Sequence, residues 1–199
     1  MATQKTTLLE AIADDHQEMY SYYDEYVKNA GNAQAQGRWA RQFTWEVARH
    51  AVGEELVVYP LMEKHLGVKG KQLADNDRAD HQKVKELLAQ LESYDAGSSE
   101  HAALLQSVVE LLRPHNDSEE KNDLPLLLKA ISADDSAAAA RSFKRTKKFA
   151  PTRAHPGAPD KPPFETVAGL MTAPIDKLKD LFSTFPTEEE KEAVMGSKN

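Results

Sequence analysis

HAVGEELVVYPL (residues 50–61) and HNDSEEKNDLPL (residues 115–126) carry the same chemistry in the same order: a histidine, then two adjacent glutamates, then a Pro-Leu pair. The offset is 65 residues, from His50 to His115 and from Glu54 to Glu119, and the same offset takes DHQ at 15–17 to DHQ at 80–82. A repeat that served packing alone would preserve leucine and alanine. This one preserves histidine and glutamate, the side chains that hold metal ions of hard and borderline character.

Both motifs fall within helical patterns. Apolar residues recur at helical spacing in four stretches: Leu9, Ile12, His16, Met19, Tyr23; Phe43, Val47, His50, Glu54, Val57, Leu61; Leu73, His81, Val84, Leu88, Leu91; and Leu104, Val108, Leu111, His115, Glu119, Leu126. Each stretch carries its histidine on the apolar stripe. Residues four apart share a helix face, so Glu54 lies a turn beyond His50, and Glu119 a turn beyond His115.

The breaks between stretches decide whether these faces meet. In an antiparallel hairpin, two residues lie level when the turn falls midway between them. The midpoint of His16 and His50 is 33, beside AGNA (30–33); that of His50 and His81 is 65.5, beside HLGVKG (65–70); that of His81 and His115 is 98, within AGSS (96–99). Each is a glycine-containing breaker. The sequence therefore predicts an all-α fold, an up-down-up-down four-helix bundle with an internal two-fold repeat and four histidines at one level. Pro60, Pro114 and Pro125 lack an amide donor, so a kink or break is expected at each.

After Asp135 the character changes, which divides the chain into a bundle (1–135) and an extension (136–199). AAAARSFKRTKKF (137–149) reads as a basic fifth helix with a solvated basic face, and APTRAHPGAPDKPP (150–163) as a proline-rich strap. A short helix is predicted from about Thr172, its apolar side of Ile175, Leu178, Leu181 and Phe182 packed back on the bundle; docking of a protein partner is the alternative. Thr187 and Glu190 resemble a capping box for a last helix.

Composition excludes several classes. There is no cysteine, so a metal must sit on nitrogen and oxygen, and the net charge of −7 argues against general nucleic-acid binding. No apolar run is long enough for a membrane span, and the start MATQKTTLLEAIADDHQ carries no signal core, so neither a membrane partner nor export is expected and the cytoplasm is the expected location. RSFKRTKK (141–148) could also serve nuclear import. The ferritin-type ExxH, HExxH, GxSxG and P-loop motifs are absent.

Four imidazoles and two carboxylates divide into two sets of two His plus one carboxylate, a set familiar for non-haem iron with open positions. Two octahedral ions offer about twelve positions, of which four imidazole nitrogens and four oxygens of bridging carboxylates take about eight. A bridging oxo or hydroxo group would leave about one exchangeable position on each.

One His on the first helix, HxxxE on the second, His on the third and HxxxE on the fourth resembles the haemerythrin-like (HHE cation-binding) family, over roughly residues 5–131. The resemblance implies a di-iron site held by His16, His50, Glu54, His81, His115 and Glu119, with zinc or manganese as alternatives. Oxygen-carrying haemerythrins have a second histidine one turn after the third-helix ligand; here that place is Lys85. The site is thus more similar to the His4Glu2 branch, which implies binding of, or reaction with, dioxygen, peroxide or nitric oxide. An iron- or oxygen-responsive module acting through a protein partner, and an oxidase or peroxidase, are the alternatives. Around the six, Glu46 is a candidate to orient the His50 imidazole, and Tyr20 and Tyr23 to flank the metals. Glu55 and Glu120 sit five residues after the histidines, rotated off the ligand face, and are expected to be solvated or to hydrogen-bond the ligands. No metal is expected at His155.

Overall fold

The computed structural model describes residues 6–196, and every regular element among them is helical. The elements are α1 (Leu8–Lys28), α2 (Ala33–Gly53), a π turn (Glu54–Val58), α3 (Tyr59–Leu91, interrupted by non-helical backbone at Gly67), α4 (Ser99–Ser118), a second π turn (Glu119–Asp123), α5 (Leu124–Ala130), α6 (Ala133–Lys147), α7 (Phe164–Asp180) and α8 (Glu188–Gly196). α1 packs along α2, and α3 along α4, as in a helical bundle. The chain reverses at Gly31, Gly67 and Gly97, each with positive φ (86°, 57° and 92°), beside the three midpoints between the histidines. Only glycine takes these angles without strain, and a Cβ at Gly97 would also lie 2.8 Å from that of Ala33.

Pro60 and Pro125 act differently from the expected kink or break. Pro60 cannot donate an amide proton, and its ring would strike the carbonyl four residues back. The chain answers with a wider turn: the amide of Tyr59 bonds the carbonyl of Glu54, and at the repeat position the amide of Leu124 bonds that of Glu119. The rods continue, each with one extra residue in its turn. α4 runs unbroken past Pro114.

The bundle buries two apolar clusters. One joins Met19, Trp39, Phe43, Leu88, Leu105 and Leu112; the other joins Leu8, Ile12, Tyr59, Met62, Leu124, Leu127 and, from α6, Phe143. α6, the expected basic helix, adds Phe143 to the second cluster and packs on α1, α2 and the first π turn. Its basic face is divided: Arg141, Lys144, Arg145 and Lys148 are exposed, whereas Lys147 is buried. α8 begins with the expected Thr187–Glu190 capping box and docks on α2 through a bidentate Arg38–Glu190 pair at 2.9 and 3.0 Å.

α7 overturns one expectation. Ile175, Leu178, Leu181 and Phe182 face solvent, and the face turned inward carries Ala173 and Asp176. The reason is polar: Asp176 is held by the segment before the helix, where it accepts from the amides of Thr152 (3.1 Å) and Arg153 (3.2 Å) and from His155 Nε2 (2.8 Å).

Candidate metal centre

His16 comes from α1, His50 from α2, His81 from α3 and His115 from α4, while each π turn opens on a glutamate, Glu54 or Glu119. All six are buried, and both glutamates are fully so. The structure brings them to one place. His16 Nε2 lies 3.1 Å from His50 Nε2, and His81 Nε2 lies 3.1 Å from His115 Nε2. Two cis nitrogens on one ion, each about 2.1 Å from it, would stand about 3.0 Å apart.

The carboxylates lie between the pairs. Glu54 Oε2 is 3.1 Å from His50 Nε2 and 3.4 Å from His81 Nε2; Glu119 Oε2 is 3.5 Å from His115 Nε2 and 3.8 Å from His16 Nε2. Each carboxylate thus reaches one histidine of each pair. Both Glu54 oxygens and Glu119 Oε2 are buried without a hydrogen-bond partner. Such orphaned oxygens cost free energy unless a cation satisfies them, so the donor set fits a metal.

The outer nitrogens are held as well. His16 Nδ1 donates to Glu120 Oε1 (2.7 Å), His50 Nδ1 to Asp15 Oδ2 (3.0 Å) and His81 Nδ1 to Glu55 Oε1 (3.0 Å). These bonds fix the tautomer that leaves Nε2 free to ligate. Two of the three carboxylates are backed by buried lysines. Lys85 Nζ bonds both oxygens of Glu55 at 2.7 and 2.6 Å, and Lys147 of α6 bonds Asp15 and Glu46. Phe143 of α6 stands edge-on to the His50 ring, with centroids 5.6 Å apart.

Electrostatics divide the histidines. Burial pushes His50 down, but Glu54 and Asp15 outweigh it and hold the imidazole up at about 9. Burial, aided by the neighbouring His81, pushes His115 down to about 3. Burial and the charge of Glu54 drive Glu119 well above the carboxylate range. Crowded carboxylates beside imidazoles of opposed tendency leave protons poorly shared, a condition that divalent cations relieve.

The comparisons agree with this geometry. The Hemerythrin HHE cation binding domain model matches residues 7–127. The chain belongs to the haemerythrin HHE family. An uncharacterised haemerythrin-like protein of Schizosaccharomyces pombe is 48% identical over 186 residues, covering 94% of this chain and 91% of the relative. No solved structure matches. In this haemerythrin-like chain the family match stops before α6, whereas the yeast relative spans it.

Several candidate residues take other places than the sequence suggested. Glu46 does not touch His50; it pairs with Lys147 and lies 3.6 Å from Arg49, and Asp15 holds the imidazole instead. Asp15 had a signal, since it precedes His16 in the repeated DHQ. Glu55 and Glu120 do leave the ligand face, yet each reaches a histidine of the opposite half of the repeat. The Tyr20 hydroxyl accepts from Asn116 (2.9 Å), and Tyr23 stacks on Tyr26 in the core. The tyrosine at the centre is Tyr59, fully buried, its hydroxyl 3.2 Å from His81 Nε2 and donating to Glu119 Oε1 at 3.4 Å. Five residues after Glu54, it would point elsewhere on an α-helix; the π turn carries it back.

Proposed function

We propose that this chain is a non-haem di-iron protein whose centre binds or reacts with dioxygen or a related small ligand such as peroxide or nitric oxide. The observation that carries the reading is the pairing: two imidazole pairs, each closed at 3.1 Å, with a glutamate reaching across from each. His16, His50, His81 and His115 would hold the ions, and Glu54 and Glu119 would span them. Iron, when bound, supplies a coordination position for the ligand and the electrons it exchanges. The chain does the rest. Asp15, Glu55 and Glu120 hold the Nδ1 protons outward, Lys85 and Lys147 offset two of those carboxylates, and Tyr59 presents a hydroxyl beside His81. The fully buried Leu8, Ile12, Val58 and Leu124 keep water away.

Metal analysis of protein purified without oxygen tests the proposal: about two iron ions per chain are expected by the two-His-one-carboxylate count. Exposure to oxygen or nitric oxide should change the absorption spectrum. His81→Ala should lose at least one ion. Intact folding with iron near zero overturns the reading.

A further inference from the structure

α7 is built the wrong way round for a surface helix. Met171, Ile175, Leu178 and Phe182 follow at spacings of four, three and four, which places them in one stripe along the helix and its closing turn. All are exposed, at 70, 58, 58 and 86%, and Leu181 beside them at 79%. Asp176 and Asp180 face the protein instead. Asp176 is gripped by Thr152, Arg153 and His155, and Asp180 accepts from Thr152 Oγ1 (2.7 Å) and Arg153 Nη1 (2.8 Å). These bonds fix the rotation of the helix, so the stripe cannot roll inward without breaking them.

The exposed charged residues of α7 next to the stripe are both lysines. Lys177 and Lys179 flank it on opposite sides, and the stem of Lys179 can lie along apolar surface with its ammonium outward. Lys177 Nζ donates to the Lys148 carbonyl (3.0 Å) and lies 5.9 Å from the centre of the exposed Phe149 ring, which ties α7 to the end of α6. That end carries the exposed Arg145, which lines a recess with Phe149 and with Thr166 and Gly169 of α7. In a chain of net charge −7, an apolar stripe edged by lysine and arginine is a local inversion.

We propose that α7 and the end of α6 form a docking face for an anionic membrane surface, with the stripe in the acyl boundary and the cations at the headgroups. No helix among the described residues is long and apolar enough to cross a membrane, so the contact is one of lying on the surface. Charge decides between occupants. A second copy brought up by a two-fold would set the same lysines against one another, whereas anionic headgroups complement them.

Full-length, iron-loaded protein should co-sediment with mixed phosphatidylcholine–phosphatidylserine vesicles, and much less with phosphatidylcholine alone or at high salt. Lys177→Glu with Lys179→Glu should weaken binding by at least about fivefold for each charge removed. Leu178→Ser with Phe182→Ser should abolish it. All four side chains are exposed, so iron content and circular dichroism should stay unchanged. Three results overturn the proposal: no sedimentation with mixed vesicles; vesicle binding indifferent to these substitutions; or, without vesicle binding, self-association or capture of an acidic amphipathic peptide that Leu178→Ser removes.

Discussion

Lys147→Met offers the sharpest test of how the centre is held. Lys147 reaches from α6, outside the stretch matched by the family model, into a pocket where its ammonium meets Asp15 and Glu46. The three side chains are 9, 9 and 3% exposed. Removing one partner of a buried ion pair typically costs about 3–5 kcal/mol, because the remaining charge loses its compensation. Here the lower end applies: Glu46 keeps Arg49 at 3.6 Å and Asp15 keeps His50 at 3.0 Å. A loss of about 3 kcal/mol in a chain of this size lowers the melting temperature by roughly 6–12 °C. Methionine fills much the same volume, so the loss reports charge rather than a cavity. The second effect falls on the metal: with Asp15 no longer anchored, its hold on the His50 imidazole loosens. Disturbed groups of this kind cost about tenfold to a hundredfold in metal affinity. Urea unfolding of chelator-treated protein measures the first effect, and competition titration with a metal indicator the second. Stability within about 0.5 kcal/mol of the parent, together with unchanged affinity, would refute the claim that α6 belongs to the centre.

Three further outcomes follow from the same geometry. Lys85→Met should have parallel consequences at His81, since it strips Glu55 of two short bonds; binding of one ion should weaken more than that of the other in a stepwise titration. Gly53→Ala sets a methyl group 2.7 Å from Phe143 Cε2. Overpacking of about 1–3 kcal/mol, less about 1 kcal/mol of helix preference, should leave a net destabilisation in urea with iron still bound. Metal-free protein should lose stability on either side of about pH 6.5, the unfolded histidine value. Below it, the unfolded chain takes up a proton that His115, held down at about 3, refuses. Above it, the folded chain's protonated His50, held up at about 9 by Glu54 and Asp15, loses its advantage. Iron replaces these protons, so the loaded protein should not share the alkaline loss; equal losses in both forms would contradict this.

Much of the bundle was legible because its turns and ligands obey simple rules. Gly31, Gly67 and Gly97 lie close to the midpoints between successive histidines, and the HxxxE spacing places His50 and Glu54 on one helix face. What could not be read was the extra residue in each π turn. Val57, Leu61 and Leu126 continue the apolar stripe on paper, whereas Val58, Met62 and Leu127 are the residues fully buried. That shift also hid Tyr59. Lys147 escaped for a different reason: a lysine in a basic run reads as solvated, and only the approach of Asp15 and Glu46 from two other helices makes its burial tolerable. The outward stripe of α7 is likewise unreadable locally, since the bonds that set its rotation come from Thr152, Arg153 and His155, upstream of the helix.

The paired π turns let one continuous rod do two jobs that a plain α-helix would set against each other. Upstream of each turn the inward face belongs to the ligands; downstream the inward face is advanced by one position and belongs to packing. Deleting a single residue between Glu54 and Pro60 would therefore not shorten a loop. It would close the turn to plain α geometry with Met62 still inward, and bring the Pro60 ring against the carbonyl four residues back. Length in these two turns is thus coupled to the proline six positions after each glutamate.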